Sequence, residues 1–227
     1  STTDLGAGSG SSSAAKTIAP GNHTLKINSI VLEDFQFIDG AKHLILNVET
    51  EPIEGFEGFL IDKDDESKGK YAGQIGRVKA SQYAFADGQT KSGIKIQRDR
   101  SLMMFLANLS KATGIMKWFE EQDNKFNTIE DFVKNFSDNA PLKDKLLDFC
   151  IAGKEYENKS GYTAYDMWLP KAENNKYAYG EEGSDKILKY DEAKHLKKLE
   201  VKPVENFGDD DDDFPTPGKT SSDFSLD

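Results

Sequence analysis

The chain is short of the residues that several common kinds of function require. Its 227 residues include one cysteine, Cys150, so no intrachain disulfide can form. No run approaches the roughly 20 consecutive apolar residues of a membrane-spanning helix. The Gly/Ser-rich start lacks the apolar centre of a signal peptide. These absences predict a soluble protein of the cytoplasm, without a membrane partner, whose single thiol is buried and unreactive.

Histidine is also scarce, and its distribution argues against catalysis. His23, His43 and His195 lie far apart, and none has the spacing of a metal-binding motif. Gly218-Lys219-Thr220 looks like the end of a phosphate-binding P-loop, but Asp213 stands where that motif requires glycine. Nothing among the 40 acidic residues singles out a general acid or a cluster for a divalent metal. We therefore expect no catalytic residue, no metal and no cofactor.

Charge is unevenly distributed along the chain, whose formal net charge is −11. Residues 205–227 contain eight acidic residues and one lysine, a net charge of −7, which leaves −4 for the other 204 residues. Residues 67–101, in contrast, contain eight lysines and arginines and two aspartates, a net charge of +6. The sequence thus combines an acidic tail with a basic middle segment.

Composition also predicts one folded domain between two polar ends. Residues 1–19 are too poor in apolar side chains to offset the entropy cost of ordering, so we expect a flexible arm. We expect one domain over residues 20–204 and a disordered tail over 205–227. The tail can mimic a nucleic-acid backbone, dock on partner proteins, or act only as a solubilising segment. Its candidate partner-binding residues are Asp209, Asp210, Asp211, Asp212, Asp213, Phe214 and Phe224.

Alternating apolar residues predict a hairpin at the start of the domain. The first strand places Leu25, Ile27, Ser29 and Val31 on one face. A turn at Asp39-Gly40 follows. The second strand places Leu44, Leu46 and Val48 on one face.

The basic middle segment predicts two further strands. Residues 76–86 alternate between a basic and aromatic face and a small apolar face. The first of these faces carries Arg77, Lys79, Tyr83 and Phe85. Residues 92–98 predict a strand with Ile94 and Ile96 pointing inward and Lys95 pointing outward, followed by Arg98.

Helical spacing predicts three helices inserted at about residues 101–148. Ser101 is expected to cap the first and Gly114 to end it. Thr128 and Asp131 resemble a capping box at the start of the second. Pro141 suits the first turn of a third, with the sequence LKDKLLDF.

Residues 149–171 predict a second hairpin, because two aromatic and apolar runs flank the turn-forming residues 158–161. With the turn at Lys159-Ser160, Tyr156 faces Thr163 and Lys154 faces Tyr165. In that register Tyr165 is exposed and Trp168 is buried. A one-residue change of register exchanges the two faces.

Basic and aromatic side chains on neighbouring strands are typical of a surface that neutralises phosphates and stacks nucleobases. Such side chains are equally typical of sheets whose aromatic residues fill the core and whose charges are only solvated. Both interpretations remain open for these strands. The candidate nucleic-acid-binding residues are Arg77, Lys79, Tyr83, Phe85, Lys95, Arg98, Lys154, Tyr156 and Tyr165.

Several segments together resemble a known family. They are PGNHTLKINSI with AKHLILNVETEP, the helical RSLMMFLANLSKATGI, the late IAGKEYENKSGYTAYDMWLP, and the tail sequence DDDDDF. With them the chain resembles bacteriophage-type single-stranded-DNA-binding proteins that have an oligonucleotide/oligosaccharide-binding (OB) fold. One departure is that Phe214 is followed by thirteen further residues, which leaves open whether Phe214 or Phe224 anchors a partner.

The resemblance implies a mainly β protein with inserted helices (α+β), built as a five-stranded, partly open barrel. It also implies binding of single-stranded DNA in phage-type DNA replication and recombination, in the host cell cytoplasm. The acidic tail is then expected to recruit replication or recombination proteins and to compete with DNA. The alternative is a structural or packaged virion protein without DNA affinity.

Overall fold

A computed structural model of the chain describes residues 17–53, 73–142 and 145–199. The predicted arm lies outside the described residues as far as residue 16, and the predicted tail lies outside them entirely. Within the described ranges the protein is mainly β, with one large mixed sheet and a few helices, which confirms the prediction of an α+β protein at this level.

The described residues form nine strands and four helices. The strands are β1 (Gly21–Asp34), β2 (Lys42–Glu49), β3 (Ile75–Lys79), β4 (Gly88–Gln89), β5 (Lys95–Ile96), β6 (Leu146–Glu157), β7 (Thr163–Trp168), β8 (Tyr179–Glu181) and β9 (Leu196–Lys197). The helices are α1 (Arg98–Ala112), α2 (Met116–Glu120), α3 (Ile129–Asn139) and α4 (Glu192–His195).

Seven of these strands form the large sheet. β1, β2 and β3 pair antiparallel in that order, β3 pairs parallel with β7, and β7 pairs antiparallel with β6. β1 is also antiparallel to β6, so the path through five strands returns to its first strand. β8 and β9 extend the sheet along β6. β4 and β5 pair only with each other, as a separate small hairpin.

β1 reaches two partners because a β-bulge lies between Ile27 and Ser29. A bulge adds one residue to a strand and increases its bend. The inward-facing series therefore runs through Leu25, Ile27 and Ile30, all buried. The prediction that Ser29 and Val31 share a face with Leu25 and Ile27 was wrong, because the bulge shifts the alternation by one residue between Ile27 and Ser29.

The core lies between the inner face of this sheet and the helices. Leu44, Leu46 and Val48, predicted to share one face of β2, are all buried, and the buried leucines of α1 and the aromatic residues of α3 pack with them. Phe136 in α3 packs edge-on against the rings of Trp118 and Phe119. The backbone N–H of Ile30 donates to Ser137 Oγ (2.9 Å), which fixes α3 to β1. The described helices thus pack on the inner side of the sheet.

Two of the predicted helices are confirmed, and the third is wrong. α1 ends at Ala112, and Gly114 with a φ of 68° follows its C-cap Thr113, as the predicted end requires, but the helix starts at Arg98 with Gln97 as its N-cap rather than at Ser101. Thr128 Oγ1 accepts from the backbone N–H of Asp131 (3.1 Å) and caps α3 as predicted. The later residues of the predicted third helix, 146–149, instead begin β6, because Leu147 and Phe149 alternate inward and pair with β1 and β8, while residues 143 and 144 lie outside the described residues. The inserted helices therefore end at Asn139, not near residue 148.

The predicted strand over residues 76–86 is too long. β3 ends at Lys79, and residues 80–83 form a bend. Phe85 then meets the start of β2, where its backbone donates to and accepts from Lys42 (2.7 and 2.8 Å). Tyr83 and Phe85 consequently do not continue the face of Arg77 and Lys79.

The inward orientation predicted for Ile94 and Ile96 is also wrong. Both side chains are exposed, because β5 pairs only with the equally short β4 and not with the large sheet. Alternation within a strand shows which residues share a face, but it does not show which face is covered.

The second hairpin forms with a register one residue away from the predicted one. Lys154 pairs with Asp166, Glu155 with Tyr165, and Tyr156 with Ala164. The turn is longer than expected, because Asn158 Oδ1 accepts from the N–H groups of Ser160 and Tyr162, and Gly161 adopts a φ of 77°. Tyr165 therefore lies on the inner face, half-buried against the core, and its predicted exposure was wrong. Trp168 is 8% exposed, as predicted.

Candidate nucleic-acid interface

The side of the large sheet that faces away from the core gathers charged and aromatic residues from five strands. We call this side the outer face. Its members follow from the strand register, in which Lys79 pairs with Ile45 and Trp168, and Trp168 pairs with Ala152. The outer face includes Glu33, His43, Ile45, Asn47, Arg77, Lys79, Lys154, Tyr156, Asp166 and Trp168.

Four of the nine candidate binding residues are brought together there. Arg77 and Lys79 come from β3, and Lys154 and Tyr156 come from β6 on the far side of β7. Lys154 and Tyr156 are exposed, the latter to 45%. The observed register differs by one residue from the predicted one, so Tyr165 lies on the inner face, whereas Lys154 and Tyr156 face outward.

Arg77 forms an ion pair with Glu33 of β1. In the register, Arg77 pairs with Asn47 and Glu33 pairs with His43, so Ile45 lies between them on β2. The ion pair thus spans Ile45, which is only 4% exposed although it points outward. The side chain of Arg77 is 62% exposed, so its charged end stays accessible to solvent.

Lys79 forms an ion pair with Asp166 of β7, with Nζ 2.7 Å from Oδ1. The same aspartate stands opposite Lys154 in the register. A single carboxylate is therefore placed between two lysines from neighbouring strands. It partly neutralises the positive charge that these lysines offer to an anionic ligand.

Lys197 adds a cation that sequence reasoning missed. β9 runs beside β6 with Lys197 paired to Lys154, and Lys197 Nζ lies 5.7 Å from the centroid of the Trp168 ring. This distance is within the range of a cation–π contact. The sequence predicts a short exposed helix over residues 191–200, and among the described residues 191–199 the helical part is Glu192–His195. The only signal in the sequence is the lysine-rich run itself.

A chain of aromatic rings extends the outer face toward the β1–β2 turn. The ring of His43 lies 5.1 Å from that of Phe35, which lies 5.4 Å from Phe37. Burial and then the nearby charge of Lys79 hold the pKa of His43 below its ordinary value, which favours the neutral ring. Phe37 is 85% exposed. The alternation of Phe35 and Phe37 beside the Asp39-Gly40 turn was the available signal for this feature.

No protein-family model, curated protein or solved structure matches the chain.

The other candidate residues lie apart from the outer face. Tyr83 is exposed in the bend after β3, and Phe85 is half-buried against the core. Lys95 is exposed in the small β4–β5 hairpin. Tyr165 is on the inner face.

Arg98 holds several segments together. Its Nη1 donates to the carbonyl of Gly40 (2.9 Å), its Nε to Asp99 Oδ1 (2.7 Å), and its Nη2 lies 3.6 Å from Glu130 Oε1. The hydrogen bond to Asp99 and the surrounding carboxylates raise the pKa of the guanidinium. With these partners Arg98 connects the β1–β2 turn to the starts of α1 and α3.

Metal and membrane signals are absent from the described part of the chain. Residues 17–53, 73–142 and 145–199 contain no cluster of three or more His, Cys, Asp or Glu side chains suited to a metal ion. None of the helices in these ranges has the length and apolar character needed to cross a bilayer. Cys150 is buried as predicted, and burial raises the pKa of its thiol to about 11.

Proposed function

We propose that this protein binds single-stranded DNA on the outer face of a five-stranded, partly open OB-type barrel, and that it acts by binding alone. The strand order supports the barrel. β1, β2, β3, β7 and β6 follow one another and β6 lies beside β1 again, with the main helices inserted between β3 and β6. In OB folds the face of the second and third strands is the usual oligonucleotide surface. The corresponding face here is that of β2 and β3.

The observation that carries the proposal is the set of cations and rings on that one face. Arg77, Lys79, Lys154 and Lys197 supply positive charge from three strands. Exposed Tyr156 and the rings of His43, Phe35 and Phe37 lie at the two ends of this set. Cations suit the phosphates, and each base stacked on an aromatic ring contributes roughly 1–3 kcal/mol with little preference for sequence.

Acidic partners on the same face favour reversible binding. Glu33 and Asp166 already occupy Arg77 and Lys79, so a phosphate must displace a carboxylate to reach either cation. The Arg77–Glu33 pair is exposed and the Lys79–Asp166 pair is partly exposed, and pairs with such access to solvent contribute little free energy and are screened by salt, so we expect the exchange to cost little. Binding is thus expected to be moderate and strongly dependent on salt.

The acidic residues Asp209–Asp213 with Phe214 or Phe224, outside the described residues, complete the proposal. They recruit replication or recombination proteins and compete with DNA for the basic surface. This arrangement suits a phage-type protein that must be displaced from DNA when its partners arrive.

Fluorescence anisotropy tests the proposal. A labelled oligo-dT and a duplex of the same length are titrated with the protein at several salt concentrations. We expect binding of the single strand, with affinity that falls as salt rises, and weaker binding of the duplex. Lack of oligo-dT binding at low salt, or an affinity insensitive to salt, contradicts the proposal and favours a structural virion protein.

A further inference from the structure

Five exposed apolar side chains belong to three segments that hydrogen bonds bring together at one end of the outer face. We call them the end patch. Phe37 and Ile38 belong to the β1–β2 turn, Tyr83 to the bend after β3, and Ile94 and Ile96 to the β4–β5 hairpin. Their exposed fractions are 85%, 52%, 66%, 65% and 39%. Scattered single exposures are ordinary, but a contiguous apolar patch generally marks an interaction site.

Hydrogen bonds hold these segments against one another. The backbone of Phe85 pairs with that of Lys42, which places the approach to the hairpin beside the end of the β1–β2 turn. Arg98 donates from Nη1 to Gly40 O (2.9 Å) in the turn and from its backbone N–H to Asp87 Oδ1 (2.8 Å) at the base of the hairpin. The turn and the hairpin are therefore fixed in relation to each other.

The charges beside the end patch suit an anionic partner. Lys91 and Lys95 are exposed on the hairpin, and neither forms an ion pair with a described residue. Asp87 is engaged with the backbone of Arg98, whereas Asp39 remains exposed at the turn. Apolar and aromatic side chains with unneutralised lysines fit a polyanion that exposes flat apolar faces, as an unpaired nucleic-acid strand does.

We propose that a single strand bound on the outer face continues over the end patch and onto the β4–β5 hairpin. The inference rests on the proposed function. The rings of His43, Phe35 and Phe37 form the continuous link from the outer face to the patch. Phe37 and Tyr83 stack bases, Ile94 and Ile96 pack against bases or sugars, and Lys91 and Lys95 neutralise phosphates. The hairpin thus lengthens the site without belonging to its centre.

Length-dependent binding tests this extension. Two double variants are compared with the unaltered chain, Lys91→Gln/Lys95→Gln and Ile94→Thr/Ile96→Thr, using oligo-dT of increasing length. Short oligonucleotides held by the outer face are expected to bind all three proteins equally. Long oligonucleotides are expected to bind the variants several-fold more weakly. For the lysine variant, the salt slope on long oligonucleotides should fall by about 1.4, since each phosphate contact on a single strand contributes about 0.7.

A matched control comes from the other end of α1. Lys111→Gln/Lys117→Gln removes the same charge from two exposed lysines near the far end of this 15-residue helix, about 22 Å from the hairpin side. In this variant the affinity should depend on oligonucleotide length as it does in the unaltered chain. Thermal unfolding by circular dichroism verifies that each variant is folded.

The outcomes separate the two proposals. If the unaltered chain binds no oligonucleotide, the proposed function fails. If it binds, but the hairpin variants have the same affinity as the unaltered chain at every length, the extension alone is overturned. The same holds if the variants bind short and long oligonucleotides more weakly by the same factor. If the isoleucine variant changes the mass of the protein in light scattering and leaves DNA affinity unchanged, the patch joins copies of this chain, and the extension is again overturned.

Discussion

Asp166 sets how much positive charge the outer face offers to a ligand. It pairs with Lys79 at 2.7 Å and stands opposite Lys154, so its carboxylate partly neutralises two cations. Under the proposed function, a phosphate has to compete with this carboxylate for Lys79, so Asp166 is expected to lower the affinity for DNA.

Replacing Asp166 should tighten DNA binding. Asp166→Asn keeps the shape of the side chain and removes its charge, so we expect an increase in affinity of about two- to five-fold, the size typical of an exposed ion pair. Lys79→Gln should lower the affinity for DNA. Oligo-dT titration at low salt measures both. Asp123→Asn, which removes a charge after α2, serves as the control, and weaker binding by Asp166→Asn contradicts this account.

His43 should make the stability of the protein depend on pH. Its pKa in the folded protein lies below 6.5, so the unfolded chain binds the proton more readily. The free energy of unfolding should then fall as pH decreases below about 6.5 and level off once the pH is below the folded pKa. In His43→Gln, the part of this decrease in the free energy of unfolding that comes from His43 should be absent. Urea unfolding at pH 7.5 and 5.5 measures the effect, and an identical decrease in both proteins contradicts it.

At the scale of elements, close approach of two segments explains the glycine in β6. A Cβ on Gly153 lies 2.5 Å from Pro20 Cγ and 3.4 Å from Asp166 O. A proline ring has little freedom to move aside. Gly153 therefore allows the chain before β1 to pass close to β6.

Gly153→Ala should destabilise the protein by about 1–3 kcal/mol, the usual effect of overpacking a core. Gly88→Ala is the matched control, because a Cβ there has no neighbour within 4 Å and the backbone needs no left-handed conformation. Urea denaturation of the two variants measures the difference. Equal stability of Gly153→Ala and Gly88→Ala would argue that the segment at Pro20 is not packed on β6.

The capping contact of α3 yields a further prediction. Thr128→Ala removes the acceptor for the backbone N–H of Asp131 and should lower the free energy of unfolding by about 1 kcal/mol. Thr128→Ser retains a hydroxyl and should restore most of the loss. Chemical denaturation distinguishes the two variants, and an equal loss in both would attribute the effect to the missing methyl group instead.

Local patterns allowed some elements to be predicted and not others. Alternating apolar residues were sufficient for β2, and helical spacing with Gly114 and Thr128 was sufficient for α1 and α3. The bulge at Ile27 and the end of β3 at Lys79 depend on pairing with distant strands, which no local pattern contains. The register of β6 and β7 depends on one extra turn residue, selected by the hydrogen bonds of Asn158.

The same limits applied to the candidate site. Arg77, Lys79, Lys154 and Tyr156 were identified from alternation with basic and aromatic residues, and the register gathers them on one face. Lys197 was missed because its place beside β6 is decided by β9, a two-residue strand. Charge alone predicted phosphate binding by Arg98, since two of its three partners, Gly40 and Glu130, come from distant segments and only Asp99 is adjacent.

For the whole molecule, the distribution of charge is as important as the fold. Residues 205–227 carry −7 of the net −11. Under the proposed function, a tail of this charge is expected to oppose an incoming polyanion and to compete with it for the same cations. Its effect should be largest at low salt, where screening is weak.

Removing the tail after Val204 should strengthen DNA binding and abolish recruitment of partner proteins. We expect the gain in affinity for oligo-dT to shrink as salt rises. A variant with Asp209–Asp213 replaced by asparagine should show most of the same gain, because charge and not length produces it. Unchanged affinity in both variants at low salt would remove competition by the tail from the account.

The most direct measurement of the central claim is the salt dependence of oligo-dT affinity for the triple variant Arg77→Gln/Lys79→Gln/Lys154→Gln. If these three cations contact phosphates on the outer face, the affinity should fall and the slope against the logarithm of salt should decrease by about 2, at about 0.7 per lost contact. A folded triple variant with the affinity and slope of the unaltered protein would show that DNA, if it binds at all, does not bind on this face.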